Sequence, residues 1–285
     1  MKKEIVVLHH NDEDGFGAAY AAWRKFGDKA EYIPVSYEMK PAELSGKEIY
    51  MLDFCYDKKS DLQRLIKNNK KVVIIDHHKS KKDDIKIASE YVYDIDHSGA
   101  VLAWQYFHPG NKVPVLLFYI EDYDLWKFKI PNTKEIMALV EMTEFDFDKW
   151  DKLATELEDE EKLKKNIEEG SAALRYKEYL VKEISGDAEK AEFEGYQAMV
   201  VNSTVLKSEI GNFLVKSGAE VGIIWSERKG EKAVSLRSGS KVDVAKLAEK
   251  YGGGGHKSAA GFGFDAKLPA PWKIIKEETQ EKNER

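Results

Sequence analysis

Residues 4–8, EIVVL, form a short apolar run that stops in a polar, glycine-containing loop, and FGAAYAAWRKFG follows with apolar residues at helical spacing. That is a strand, loop, helix unit. The pattern returns at EIYMLDF (48–54) and KVVIIDHH (71–78), with DLQRLIKNN between them reading as an amphipathic helix. Strands that are apolar along nearly their whole length and separated by helices predict a parallel sheet covered by helices on both faces. Such sheets bind ligands beyond the carboxyl ends of their strands, and the acidic and histidine residues of this chain fall at those ends. Between about 98 and 124, SGAVLAWQYF and VPVLLFYIEDYDLW predict helices, with Ser98 as an N-cap and Pro114 near a helix start.

The pattern then changes twice. From about 146 to 185 it is rich in Glu, Lys, Leu and Ala, which predicts charged helices that act as a connector. Beyond 195 the strand-like runs YQAMVVN, VGIIWSE and KAVSLRS lead into DVAKLAEKYGGGGHKSAAGFGF, which reads as a second, smaller α/β domain. The expected organisation is a catalytic α/β domain at 1–140, a helical connector at 141–194, a substrate-binding domain at 195–270 and a charged tail, helical or frayed, at 271–285.

Composition narrows the setting. No apolar run approaches the roughly 18 residues that a membrane span needs, and the N-terminus turns polar too soon for a signal segment, so a cytoplasmic protein is expected. The single cysteine, Cys55, excludes an intrachain disulfide and fits a reducing compartment. The net charge is -6, and the nearest basic cluster, KSKKDD at 79–84, is short and mixed in sign. Binding of long nucleic acid by counterion release is therefore not expected, and a short or small substrate is favoured.

Five segments carry candidate chemistry. His10, Asp12 and Asp14 alternate in the loop after the first strand and would converge if that segment stayed extended, while Gly15 frees the backbone to turn. Carboxylates plus imidazole suit Mn²⁺ or Mg²⁺; His9 and Glu13 are not expected to be ligands. Asp53 ends the second motif-bearing strand and alone would read as a turn residue. Asp76, His77 and His78 follow KVVII, where burial of three ionisable groups is costly unless they pair or bind metal. Asp122 and Asp124 follow VLLFYIE and alone would read as an acidic helix end. Acidic groups from several strand ends would repel one another, and a pair of divalent cations resolves that repulsion. Finally, Gly253, Gly254 and Gly255 next to His256 could expose backbone N–H groups to an anion, with Arg237 as a bidentate phosphate partner. The competing readings are a flexible linker for the glycines and a surface residue for the arginine.

Taken together, these segments resemble the DHH phosphoesterase superfamily, in particular its DHH plus DHHA1 branch, over most of the chain. His10-x-Asp12-x-Asp14-Gly15 looks like the first family motif, Asp53 like the second, Asp76-His77-His78 like the signature triplet, Asp122 like the fourth motif and GGGGHKSAAGF like the DHHA1 hallmark. The resemblance implies two divalent ions, Mn²⁺ or else Mg²⁺. His10, Asp12 and Asp53 would hold one; Asp14, Asp53, His77 and Asp122, with Asp124 as the fallback, would hold the other. It also implies that His78 faces the substrate phosphate, that Asp76 supports the histidine pair, and that Arg237, His256 and the glycine loop grip the far end of the substrate. The first motif, with Asp12-Glu13-Asp14-Gly15, is nearer to the RecJ-like form, but the compact chain looks more like the nanoRNase and short-dinucleotide phosphodiesterase members.

The expected function is therefore hydrolysis of short oligonucleotides or dinucleotides to mononucleotides by a two-metal hydroxide mechanism. Rival readings are action on another small phosphate compound (3′-phosphoadenosine 5′-phosphate, a cyclic dinucleotide or pyrophosphate), a non-catalytic nucleotide sensor, and a nucleic-acid-binding module. No long duplex and no membrane are expected as partners, and a homodimer is left open.

Overall fold

The structure is a computed structural model that describes residues 3–36 and 39–275. The chain divides into two compact units, Met1–Leu174 and Arg175–Arg285.

The first unit is built on β1 (Ile5–His10), β2 (Ala30–Val35), β3 (Glu48–Leu52), β4 (Lys71–Asp76) and β5 (Glu90–Tyr93), all parallel, in the order β2-β1-β3-β4-β5. β2 and β5 flank the three strands the apolar pattern predicts. Because side chains alternate, each apolar run feeds two cores. Val7, Tyr50, Leu52, Val73 and Ile75 face one side, where they pack with residues of α1 (Glu13–Phe26), α3 (Gly99–Phe107), α4 (Val115–Asp124), α5 (Thr133–Met142) and α6 (Phe147–Glu156). Val6, Leu8, Ile49, Met51, Val72 and Ile74 face the other, where α2 (Lys59–Asn68) contributes Leu62 and Leu65. The sheet is thus covered by helices on both faces. Ser98 caps α3 by accepting from the Val101 N–H, and Pro114 stands at the N-cap of α4.

The segment expected as a connector, 141–194, contains α6, the 27-residue α7 (Glu160–Gly186) and then β6 (Glu189–Phe193), which already belongs to the second sheet. The two units divide inside α7, between Leu174 and Arg175. The first half of α7 is docked: a Cβ on Gly170 would lie 2.0 Å from the Glu135 carbonyl oxygen of α5, and Leu163 and Ile167 pack on the core.

The second unit carries a seven-stranded sheet. Besides β6 it contains β7 (Tyr196–Asn202), β8 (Val221–Arg228), β9 (Glu231–Ser238), β10 (Gly254–His256), β11 (Ala259–Asp265) and β12 (Lys273–Ile274), in the order β10-β11-β9-β8-β7-β6-β12. β7 and β8 are parallel, joined by α8 (Lys207–Lys216); the other pairs are antiparallel. Glu194-Gly195 and Lys229-Gly230, with positive φ at all four residues, make two-residue hairpin turns whose twist matches that of the strands. α9 (Val244–Glu249) packs Val244, Leu247 and Ala248 onto the core of the second sheet. The tail expected at 271–285 begins with β12 as an edge strand; residues 276–285 lie outside the described residues.

Candidate metal and phosphate site

β1, β3 and β4 end side by side, and each releases its chemistry at that end. After β1 the chain does not stay extended. Asp12 caps α1 by accepting from the Gly15 N–H at 2.9 Å, so Asp14 lies in the first helical turn. Convergence of His10, Asp12 and Asp14 therefore comes from this tight strand-to-helix turn and not from strand alternation. Gly15 permits it, because a Cβ there would sit 2.3 Å from the His10 carbonyl oxygen. His9, on the opposite face of β1, is buried with its ring edge against Phe16, and burial pushes its pKa down to about 4.

Asp53 follows β3 in the left-handed region at φ 54°, a sparsely populated conformation for a residue with a side chain, and its N–H donates to the Ile75 carbonyl. Gly99, at the start of α3, lies so close that a Cβ there would come within 2.5 Å of the Asp53 Cβ. That close approach lets α3 serve Asp14: the Gly99 and Ala100 N–H groups donate to its two carboxylate oxygens at 2.7 and 3.0 Å, a use of orphan helix-start donors. Nothing in residue chemistry alone singled out Gly99; the signal was a glycine directly behind a capping serine and ahead of an apolar helix.

The groups meet around Asp53. His10 Nδ1 is 2.6 Å from Asp12 Oδ2 and 3.6 Å from Asp53 Oδ2. His77 Nε2 is 3.2 Å from Asp53 Oδ1, 3.7 Å from Asp14 Oδ2 and 3.5 Å from Asp124 Oδ2. Three overlapping groups each bring their ligand atoms within 4.8 Å of one another: His10, Asp12 and Asp53; Asp53, His77 and His78; and Asp14, His77 and Asp124.

Asp122 does not join them. Its carboxylate is buried and accepts from the Lys129 N–H at 2.8 Å, the Ile130 N–H at 3.1 Å and the Thr133 hydroxyl at 2.6 Å. Two residues on a helix are about 200° apart, so Asp122 and Asp124 cannot serve one site. The preference for Asp122 is corrected: Asp124 stands in the cluster, and Asp122 braces the loop after α4.

Asp76 is fully buried and supports His78. One of its oxygens accepts from the His77 and His78 N–H groups at 2.8 and 3.0 Å and pairs with His78 Nδ1 at 2.7 Å. This fixes the ring orientation and turns Nε2 away from the carboxylate.

The electrostatics follow from the crowding. Burial, then the Asp14 charge, raises the Asp53 carboxyl well above its usual range; Asp14 is raised chiefly by burial, and Asp124 by desolvation and then by the Asp14 and Asp53 charges. Burial opposes a charged His10 ring, but hydrogen bonds to Asp12 and Asp53 outweigh it and raise the group to about 10. His78 is also raised: burial opposes its charge, but the bond to Asp76 and the charges of Asp53 and Asp76 together outweigh it. A carboxylate knot of this kind is stable only with protons or cations in it. Asp53 Oδ1, buried and without a hydrogen-bond partner among the described residues, is where a cation fits. The donors are all carboxylate and imidazole, the set for Mn²⁺ or Mg²⁺, with no thiolate nearby in the set.

In the second unit, strand register places His256, Ala259 and Arg237 in one row across β10, β11 and β9, hence on one face. Arg237 Nη2 donates to the Ser208 hydroxyl at 2.7 Å, and its side chain crosses Gly211, where a Cβ would come within 2.5 Å. The glycine run is not a linker but a packed turn and strand. The Gly253 N–H is taken by the Ala248 carbonyl, a Cβ on Gly253 would meet the Gly261 carbonyl at 2.1 Å, and Gly254 and Gly255 run into the β10–β11 hairpin. Gly252 and Gly254 have open space at their Cβ positions.

A parallel α/β sheet whose strand ends pool acids and histidines, followed by a second sheet unit, is an arrangement suited to metal-assisted phosphoester chemistry. Residues 4–140 match the DHH family, N-terminal domain, and residues 195–281 match the DHHA1 domain, so the chain belongs to the DHH phosphoesterase family. It is 31% identical to uncharacterized protein R106 of Acanthamoeba polyphaga mimivirus, over 92% of this chain and 67% of the relative. It is 24% identical to oligoribonuclease NrnB of Bacillus subtilis (strain 168), over 90% of this chain and 71% of that one. Among solved structures, a DHH domain described as a member of the S1p family of ribosomal proteins aligns with TM-score 0.61 at 15% identity, covering 96% of this chain and 83% of the other, a likeness of fold.

Proposed function

We propose that this protein is a metal-dependent phosphodiesterase that hydrolyses short oligonucleotides or dinucleotides to mononucleotides. The observation that carries the proposal is the position of Asp53, whose two oxygens face two different ligand sets. His10, Asp12 and Asp53 would hold one divalent ion, and Asp14, Asp53, His77 and Asp124 the other, Mn²⁺ or Mg²⁺. Such ions, when bound, lower the pKa of water and neutralise charge on phosphoryl oxygens.

The chain's own groups do the rest. Asp53 holds the two sets in register, because its backbone is pinned to β4 and its side chain is pressed by Gly99. The Gly99 and Ala100 N–H groups aim Asp14 and favour its charged form against the burial that raises it. Asp76 orients His78 so that its Nε2 can donate to a phosphoryl oxygen as charge develops there. In the second unit, Arg237 and His256 would bind a phosphate or a base. Support for a short substrate comes from the net charge of -6, which disfavours long polyanions, and from the oligoribonuclease named among the relatives.

The test is a substrate panel with purified protein and Mn²⁺: di- to pentaribonucleotides, a linear and a cyclic dinucleotide, 3′-phosphoadenosine 5′-phosphate and pyrophosphate. Short oligomers should yield mononucleotides, EDTA should stop the reaction, Mn²⁺ should restore it, and Asp53→Ala should lower turnover by roughly a hundredfold or more. Turnover confined to pyrophosphate or 3′-phosphoadenosine 5′-phosphate would replace the substrate class. Undiminished turnover after metal stripping would end the proposal.

A further inference from the structure

The loop after α4 holds an unusual concentration of backbone strain. Trp126 and Phe128 adopt positive φ, 55° and 47°, and Asn132 follows at 64°. None is glycine, and two are bulky aromatics, for which the left-handed region is a costly conformation. The loop stays there because its backbone is fastened at every step. The Trp126 N–H donates to the Tyr123 carbonyl, the Lys127 and Phe128 N–H groups to the Asp122 carbonyl, and the Lys129 and Ile130 N–H groups to the Asp122 carboxylate. The Lys127 ammonium adds a bond to the Asp96 carbonyl. Five consecutive N–H groups are thus held by two residues of the last turn of α4.

What this machinery presents is an indole. Trp126 is 59% exposed, the ring edge of Phe128 supports it at a centroid distance of 4.8 Å, and Tyr123 lies 6.1 Å away. Strain combined with exposure makes no sense as core packing, since an exposed tryptophan gains little from burial. It makes sense if the ring has to be at one place. That place is set by the chain: Trp126 is two residues past Asp124, so its Cα lies within about 7.6 Å of the Cα of a cluster acid. An exposed aromatic plane anchored two residues from a phosphate-directed site matches a nucleobase, whose π-face stacks on indole whatever its sequence.

We propose that Trp126 is the stacking platform for the base of a nucleotide adjoining the scissile phosphate, with Asp122 as the residue that positions it. The inference rests on the short-oligonucleotide reading above, and it adds a base-recognition element that none of the cluster residues supplies. It accounts for Asp122 being an acid: its carboxylate matches two N–H groups and a hydroxyl that an apolar residue would leave unpaired.

The experiment compares the full chain with Trp126→Ala, Trp126→Phe and Trp126→Gly on a diribonucleotide and on the same compound lacking one or the other base. Trp126→Ala should raise KM about tenfold with kcat within about twofold, Trp126→Phe should recover most of the loss, and the abasic compound that lacks the stacked base should show no difference between wild type and variant. Trp126→Gly, which relieves the positive φ, should leave the melting temperature unchanged or higher while KM rises as in the alanine variant. An unchanged KM in Trp126→Ala, or equal losses on every compound, would overturn the inference and leave the phosphodiesterase reading standing. If the wild type itself leaves the diribonucleotide intact, it is the phosphodiesterase reading that fails, and the inference falls with it.

Discussion

Asp122 and Asp124 differ by two positions and do opposite work. Asp124 brings an acid into a knot that already contains Asp14 and Asp53, whereas the Asp122 carboxylate accepts three hydrogen bonds from the segment beyond its helix. Their alanine variants should therefore separate cleanly. Asp124→Ala should lose Mn²⁺-dependent turnover and keep the stability of the metal-free protein, because a repulsive charge is removed. Asp122→Ala should cost about 2–3 kcal/mol of stability, since it strands two backbone donors and the Thr133 hydroxyl. Thermal melts in EDTA and turnover in Mn²⁺ measure the two effects. The sequence showed both aspartates as candidates but not which faced the site, because the residue types are identical and the answer lies in the helix phase relative to neighbours far along the chain. Asp76, His77 and His78 were easier, since ionisable groups at the end of an apolar strand have few other uses.

At the level of elements, the site is a matter of how closely backbones approach. α1 can start against the end of β1 only because Gly15 has no Cβ, and α3 can lay its first N–H groups on Asp14 only because Gly99 has none. Gly99→Ala should displace Asp53 or tilt α3, and either change pulls one ligand set out of alignment with the other. The expected result is at least a tenfold loss in Mn²⁺ affinity by titration calorimetry, larger than the loss of fold stability would explain. The apolar pattern made β1, β3, β4 and the helices at 99–124 legible, and the cap at Ser98 with them. It did not give β2 and β5, whose outer exposure dilutes the run, nor the use of the glycines at 252–255, which depends on β11 lying against them.

For the whole molecule, protons and metal compete for the same groups. Asp14 and Asp53, fully buried, bind protons in the metal-free fold that the unfolded chain has already released, and so does His10, raised from 6.5 to about 10. The folded state then holds more protons than the unfolded one, so metal-free stability falls as pH climbs above the ordinary carboxylate range. Asp12 and Asp122 have the opposite sign but act only in acid, as pH drops through and below the usual 3.8, and buried His9, lowered to about 4, offsets only the part of the His10 effect near its ordinary 6.5. Differential scanning calorimetry in EDTA should show a lower melting temperature at pH 8.5 than at pH 6. The increment from Mn²⁺ should be larger at pH 8.5, because fewer protons must leave. An increment independent of pH would mean that these acids do not hold the ion.

The strand order carries a consequence for the order of folding. β1 pairs with β3, which begins only at Glu48, and the donors that satisfy Asp14 begin only at Gly99. The acids beyond β1 thus depend on contacts distant in sequence, whose loops must close before any of them is quieted. The glycine that brings α3 against Asp53 is therefore also the residue on which closure of the first unit waits.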